Sequence, residues 1–397
     1  MKRILIFSHA LELGGAERAL IGLLDSIDYK RCSVDLFLMR HQGELLPFIP
    51  ENVRLLPELP QYASLAVPIT DVMRRGQFGV ALGRAYGKWK AARYIQKNGI
   101  TGECSVALDY SHKYTRAFMP PVGEGEYDLA ISFLTPHYFV AEKVQAKVKL
   151  AWTHTDYSRV QVDAASEKQM WGCYDRIAAI SPAVGQAFAG VFPTLADKLM
   201  PLENIVSARL VRADAVGDVS LEMPEDGSIR LLSIGRYTNA KNFDNVPDIC
   251  RRLRQMGLNV KWYLIGFGAD EGLIRRRVAE AGMEEHVILL GKKANPYPYI
   301  AACHLYVQPS RYEGKAVTVR EAQMLGKSVA ITRYATSASQ LEEDVDGVVV
   351  PMDNAGCAAG IAALLRDGEK MARLRAVCMS RDYSGAAEVE KIYQLME

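Results

Sequence analysis

The stretch RLLSIGRYTNAK, residues 230–241, decides the fold. A short apolar run, 230–235, ends in Gly235 and opens into a polar loop bearing Arg236 and Lys241. A run this short, bounded by glycine, reads as a strand buried on both faces. Strands of the same kind follow at 260–266, 287–290, 305–308, 328–332 and 348–350, with helical patterns between them. Upstream the rhythm is the same: strands at 4–7, 34–39, 129–134, 148–153 and 177–180, and a helix at 16–27. Strands alternating with helices mean parallel sheet covered on both faces. Between 205 and 228 the pattern weakens into mixed charge, Gly and Pro, which reads as a linker. The expectation is an α/β chain of two doubly wound Rossmann-like domains. They cover 1–204 and 205–381, with a final helix within 382–397.

Size and composition agree. The 397 residues suit two or three domains. Hydrophobic residues make up 49% and charged residues 24%, a globular balance. A formal charge of +2 is too small for a nucleic-acid binder, so no nucleic-acid partner is expected. Seven scattered Cys, with no CxxC, argue against a disulfide framework or zinc site and fit a reducing cytosol. The first residues are charged and then apolar only over 4–7, a strand rather than a signal peptide. No apolar run is long enough to span a membrane.

In open α/β sheets ligands sit beyond the carboxyl ends of the strands, so the chemistry is sought in the loops that follow them. Gly14 and Gly15 precede a helix, where backbone can approach a ligand and free N–H groups are offered. The spacing is not GxGxxG, which counts against a nicotinamide dinucleotide and a dehydrogenase. His154 closes the strand at 148–153, and His137 is a weaker candidate of the same kind. Gly235, Arg236 and Lys241 form a loop whose two cations can reach one pyrophosphate, Arg as a fork and Lys as a point charge. Gly266, and Gly291 after the strand at 287–290, read as ligand-lining turns.

The strongest segment is QPSRYEGKAV, 308–317, followed by a helix. Glu313 and Glu321 are eight apart, so Glu321 lies about two turns, or roughly 11 Å, beyond Glu313. That is close to the span from a sugar to a ribose across a pyrophosphate. Gly314, Lys315, Ala316 and Val317 put backbone N–H groups and the positive helix end beside the phosphates. One segment can then hold a nucleotide sugar, with Glu321 on the ribose and Glu313 near the sugar. Any two glutamates eight apart can also be solvated residues of an amphipathic helix.

These residues resemble family-4 retaining glycosyltransferases. Tyr312-Glu313-Gly314 with Glu321 looks like the E-x7-E segment of that family. Gly235-Arg236 with Lys241 looks like its G-R-x4-K loop, and His154 sits where its N-domain histidine follows a strand. Gly14-Gly15-Ala16-Glu17 is similar to its first loop. Asn295-Pro296-Tyr297-Pro298-Tyr299 resembles a segment of members that build capsule, exopolysaccharide or lipopolysaccharide. The resemblance implies a GT-B architecture, two domains facing an interdomain cleft, with donor mainly on the second and acceptor mainly on the first. It implies that the last helix returns to the first domain. Asn242 stands where the family usually has Gly, and Lys315-Ala316 replaces the common Phe-Pro.

The implied function is metal-independent, retaining transfer of a hexose from a nucleotide diphosphate sugar, UDP- ahead of GDP-. The acceptor is lipid-linked or a growing cell-surface polysaccharide. His154, Glu313, Arg236 and Lys241 carry catalysis. The nucleotide sugar is a substrate and no cofactor is expected. Asp344-Val345-Asp346 is formally a DxD metal motif, yet its acidic run ending in Gly347 reads as a turn. The alternatives are a nucleotide-sugar epimerase on the same scaffold and a non-catalytic nucleotide-sugar-binding subunit. Finally, 71–97 carries seven basic residues and one acid, with aromatics interleaved. It reads as a solvated basic helix or as a face for an anionic membrane. The expected location is cytoplasmic, peripheral to the inner face of the cell membrane in the second case.

Overall fold

The computed structural model describes every residue except Glu103 and Arg159. It divides into two compact units, Met1–Ile205 with Ala386–Glu397, and Val206–Gly385.

The first unit is built on seven parallel strands: β1 (Lys2–Ser8), β2 (Cys32–Leu38), β3 (Val53–Leu55), β4 (Tyr127–Ser132), β5 (Ala146–Thr153), β6 (Arg176–Ala179) and β7 (Leu199–Pro201). Their order is β3-β2-β1-β4-β5-β6-β7, with Ile4 opposite Val34 on one side and Leu129 on the other. Ile4, Leu5, Ile6 and Phe7 are fully buried because helices cover both faces, which is why the strand reads as an unbroken apolar run. Five of the seven strands are visible as such runs. The edge strands β3 and β7 are three residues each, too short to leave a pattern.

The second unit has six parallel strands: β8 (Ile229–Ile234), β9 (Val260–Ile265), β10 (Val287–Gly291), β11 (Leu305–Gln308), β12 (Ser328–Thr332) and β13 (Val348–Val350). Their order is β10-β9-β8-β11-β12-β13. In both units the order reverses beside the first strand, between β1 and β4 and between β8 and β11. These are the switch points at which open sheets hold ligands.

The linker expected at 205–228 is corrected. A helix, Ala208–Ala213, capped by the Ser207 hydroxyl on the Leu210 N–H, buries Leu210 and Val211. Val211 and Met223 are fully buried in the second unit's core beside Tyr263 and Tyr306. The segment lacks a period because it is a short helix followed by loop, but it is part of the core. The tail divides later than expected. Residues 382–385 stay with the second unit, where Tyr383 donates to Asp346 and Val206 N–H donates to Ser384 O. The closing helix Val389–Gln394 lies within the first unit. There Asp28 N–H donates to the Tyr393 hydroxyl at 2.7 Å and Arg31 pairs with Glu390.

Candidate functional site

The second unit's switch point gathers most of the charged residues singled out from the sequence. After β8 the chain runs through Gly235 and Arg236 into a short turn, Asn239–Lys241. After β11 it runs through Pro309 to Ala316 and enters the helix Val317–Met324. Lys241 Nζ reaches across to Glu313 Oε1 at 2.6 Å. The same oxygen accepts from Ser310 Oγ at 2.6 Å and Gln308 Nε2 at 3.0 Å. Ser310 and Gln308 are fully buried. Glu313 is therefore fixed by three donors, while its main chain is tied down by Thr336 Oγ1 on Glu313 O.

Two residues with no sequence signal clamp these loops together. Arg311 forks onto both Asp244 oxygens at 2.9 and 2.8 Å, and its N–H donates to Ala240 O. Gln340 accepts from Ala316 N–H at 2.7 Å and donates back to Ala316 O. The Ala316 amide, expected on phosphate, is thus engaged by a side chain 24 residues away.

Arg236 is exposed. Among the described residues its side chain takes part in no hydrogen bond or ion pair, so its guanidinium is available to an anion.

Asn242 explains the departure from glycine. Its φ is 61°, left-handed, and the following turn needs that conformation. Asn tolerates it, and here the side chain adds a bond from Nδ2 to Pro309 O at 2.8 Å that a glycine cannot make. Gly266 is required by close approach. A Cβ there would lie 1.9 Å from Gly235 O, so the loops after β8 and β9 touch only because it has none. Gly291 ends β10 with its carbonyl accepting from Gly266 N–H.

Glu321 is buried, and Tyr297 donates to its Oε1 at 3.0 Å. The Tyr-Pro-Tyr segment and the second glutamate of the E-x7-E pair, far apart in sequence, therefore share one spot.

In the first unit Gly14 caps the helix Gly15–Ser26. A Cβ on Gly14 would meet the Glu17 carboxylate at 2.0 Å, whereas Gly15 has open space around it. His154 follows β5, with its ring tilted against Phe133 and parallel to Trp152. Burial pushes its pKa down to about 4, so the ring is neutral. Its Nε2 is buried and, among the described residues, has no hydrogen-bond partner, and the same holds for Ser8 Oγ at the end of β1 and Thr153 Oγ1 at the end of β5. Unpartnered buried polar atoms at a sheet's carboxyl edge mark a place where a polar ligand would satisfy them. His137 is structural: Ser132 Oγ lies 2.8 Å from its Nδ1, Trp171 packs on it, and burial lowers its pKa to about 3.

The acidic run at 342–347 forms a turn. Asp344 takes a left-handed φ of 64° and pairs with Lys370. Asp346 is buried, accepting from Glu342 N–H and the Tyr383 hydroxyl. Both carboxylates have structural partners, which is how a turn uses them. Among the described residues no three His, Cys, Asp or Glu side chains are grouped to hold a metal.

Two parallel, doubly wound units with their loops arranged in this way define the GT-B glycosyltransferase fold. Residues 222–377, which lie in the second unit, match the family of glycosyl transferases group 1. The amylovoran biosynthesis glycosyltransferase AmsK of Erwinia amylovora is 28% identical over 149 residues, covering 36% of this chain and 37% of that protein. The N-acetylgalactosamine-N,N'-diacetylbacillosaminyl-diphospho-undecaprenol 4-alpha-N-acetylgalactosaminyltransferase of Campylobacter jejuni is 26% identical over 168 residues, covering 42% and 44%. The matched stretches therefore span less than half of these relatives' own lengths. Among solved structures, Anabaena Alr3699/HepE in complex with UDP-glucose aligns with a TM-score of 0.66 at 15% identity over 99% of both chains. A glycosyltransferase from Rickettsia africae ESF-5 aligns at 0.64 and 14%, covering 100% of this chain and 97% of that one.

Proposed function

We propose that the protein is a retaining, metal-independent hexosyltransferase that moves a hexose from a UDP-sugar to a lipid-linked or growing cell-surface polysaccharide acceptor. The reading rests on the Lys241–Glu313 contact, held by Ser310 and Gln308 at the switch point of the second sheet. The UDP complex of Anabaena HepE supports the choice of base, and the diphospho-undecaprenol named for the Campylobacter relative supports a lipid carrier.

In this reaction the bond from sugar C1 to the diphosphate oxygen breaks, and the electron pair leaves on the diphosphate. The acceptor hydroxyl forms its bond to C1 on the same face, and its proton passes to the departing diphosphate oxygen. Charge separation between an oxocarbenium-like sugar and the diphosphate is the main barrier. Arg236 and Lys241 offset the developing negative charge, together with the N-terminal end of the helix Val317–Met324. Two cations on the loop after β8 can do this without a metal ion. Glu313 orients the sugar hydroxyls and Glu321 the ribose. His154, neutral, supplies a hydrogen bond at the reacting sugar.

The test is a thermal-shift panel of nucleotide sugars followed by product analysis. A donor at 100 times its Kd raises stability by about 2.7 kcal/mol. The transferred sugar keeps its anomeric configuration, and chelators leave the rate unchanged. Inversion, or a rate restored only by a divalent ion, contradicts the proposal.

A further inference from the structure

We infer that the outward face of the helix Phe78–Lys97 docks on an anionic lipid surface. Its inner face is settled. Val80, Ala81, Gly83, Gly87 and Ala91 are buried. A Cβ on Gly83 would lie 2.5 Å from Tyr114 O, and one on Gly87 2.6 Å from Tyr110 O, so glycines press this helix onto the helix Val106–Thr115. Arg84 also belongs to the inside, donating to Ser64 O and Val67 O, and is removed from the basic surface read from the sequence.

The opposite face is the unusual one. Phe78, Leu82, Tyr86 and Trp89 are spaced by four, four and three residues, so they form one stripe. They are 65, 67, 44 and 47% exposed. Phe118, 44% exposed, adjoins the first turn, where a Gly79 Cβ would meet its ring. A helix merely facing water carries polar residues there, and contiguous exposed apolar side chains mark an interaction site. The flanks are cationic. At helical spacing Lys88 lies on one side of the stripe and Lys90 and Lys97 on the other, and Arg93 places its guanidinium 4.3 Å from the Trp89 ring centre. The twenty residues of the helix contain no Asp or Glu.

An apolar row with interfacial aromatics, edged by cations, matches the boundary between anionic headgroups and acyl chains. A second copy of the chain fits poorly, since an isologous pairing would set these cations against each other. Among the described residues no helix is long and apolar enough to cross a membrane. The contact proposed is therefore on the surface. It rests on the lipid-linked acceptor reading for its purpose, but binding is measured without turnover.

The experiment is co-sedimentation of the full chain with vesicles of phosphatidylcholine alone or mixed with phosphatidylglycerol, at low and high salt. The protein is expected to pellet with the mixed vesicles, weakly with neutral ones, and less at high salt. The double variant Phe78→Ser, Leu82→Ser should lose at least tenfold in affinity. Lys88→Gln with Lys97→Gln should lose about 25-fold, roughly fivefold per cation. All four positions are exposed, so unchanged melting and nucleotide binding serve as the folding control. Equal partition onto both vesicle types overturns the inference. So does unchanged binding in both double variants, a dimer that Leu82→Ser dissolves, or retention of RNA without vesicle binding. Vesicle binding by a chain that transfers no sugar leaves the inference standing and removes the enzymatic reading instead.

Discussion

Lys241 Nζ lies 2.6 Å from Glu313 Oε1, so the cation assigned to a diphosphate and the carboxylate assigned to a sugar neutralise one another. The two residues are 72 positions apart and meet only because β8 and β11 are neighbours at the switch point. A nucleotide sugar can replace this one contact with two, phosphate on the lysine and sugar hydroxyl on the carboxylate. Binding then exchanges charge contacts rather than burying a lone charge, which keeps its desolvation cost low.

Lys241→Ala should lower kcat by about 10²–10³, by analogy with the loss of one preorganised donor to a developing oxyanion. Glu313 keeps Ser310 and Gln308, so its position should survive. Steady-state kinetics with the donor found by thermal shift provide the check. Unchanged turnover contradicts the role given to Lys241.

Arg236→Ala separates function from stability. The side chain is exposed and, among the described residues, unpaired. Its removal should change unfolding free energy by no more than about 0.5 kcal/mol. Donor binding should nevertheless weaken and kcat fall. A large loss of stability with normal turnover would reverse the assignment.

Much of this site was legible because strands buried on both faces write themselves as apolar runs and glycines mark where those runs end. Lys241, Glu313 and Glu321 could be singled out as charged residues in or just beyond such loops. Arg311 and Gln340 were not legible. Their partners Asp244 and Ala316 are 67 and 24 residues away, and a single polar residue has no period to betray a long-range bond. The segment at 205–228 misled for the opposite reason. Val211 and Met223 are core residues, but one short helix and a loop give no repeat to detect. Arg84 counted as surface charge because its two carbonyl acceptors lie in another helix turn and loop.

Asn242 and Gly266 make a paired test of the loop backbone. Asn242→Gly keeps the left-handed φ freely and loses the two side-chain bonds, from Nδ2 to Pro309 O and from Asn245 Nδ2 to Oδ1, about 2 kcal/mol together. Asn242→Ala loses both bonds and adds about 1–2 kcal/mol of backbone strain. Gly266→Ala should be worse than either, costing more than about 4 kcal/mol, because its Cβ meets Gly235 backbone rather than a movable side chain. Urea unfolding of the three variants checks the order. An Asn242→Gly variant less stable than Asn242→Ala would show that the side chain, not the conformation, is what the turn needs.

The first unit should be sensitive to mild acid. Burial lowers the pKa of His154 to about 4 and of His112 and His137 to about 3, against 6.5 for an exposed histidine. Between these values the unfolded chain binds protons that the folded chain refuses. Each such histidine therefore lowers stability by up to about 1.4 kcal/mol per pH unit as pH falls below 6.5. Asp109 works the other way. Burial and the neighbouring Glu167 raise its pKa to about 6, so from pH 6 down to its unfolded value near 3.8 the folded state takes up the extra proton and gains stability. Burial raises the neighbouring Glu167 as well, so two carboxyls offset part of the effect of three histidines, and the net slope from pH 6 to 4.5 should still be destabilising. Urea midpoints across that range measure it. His137→Gln should flatten the profile and Asp109→Asn should steepen it, since the asparagine cannot accept the offsetting proton. A profile that is flat in the parent chain, or that Asp109→Asn leaves unchanged, would mean these groups are hydrated in the folded protein.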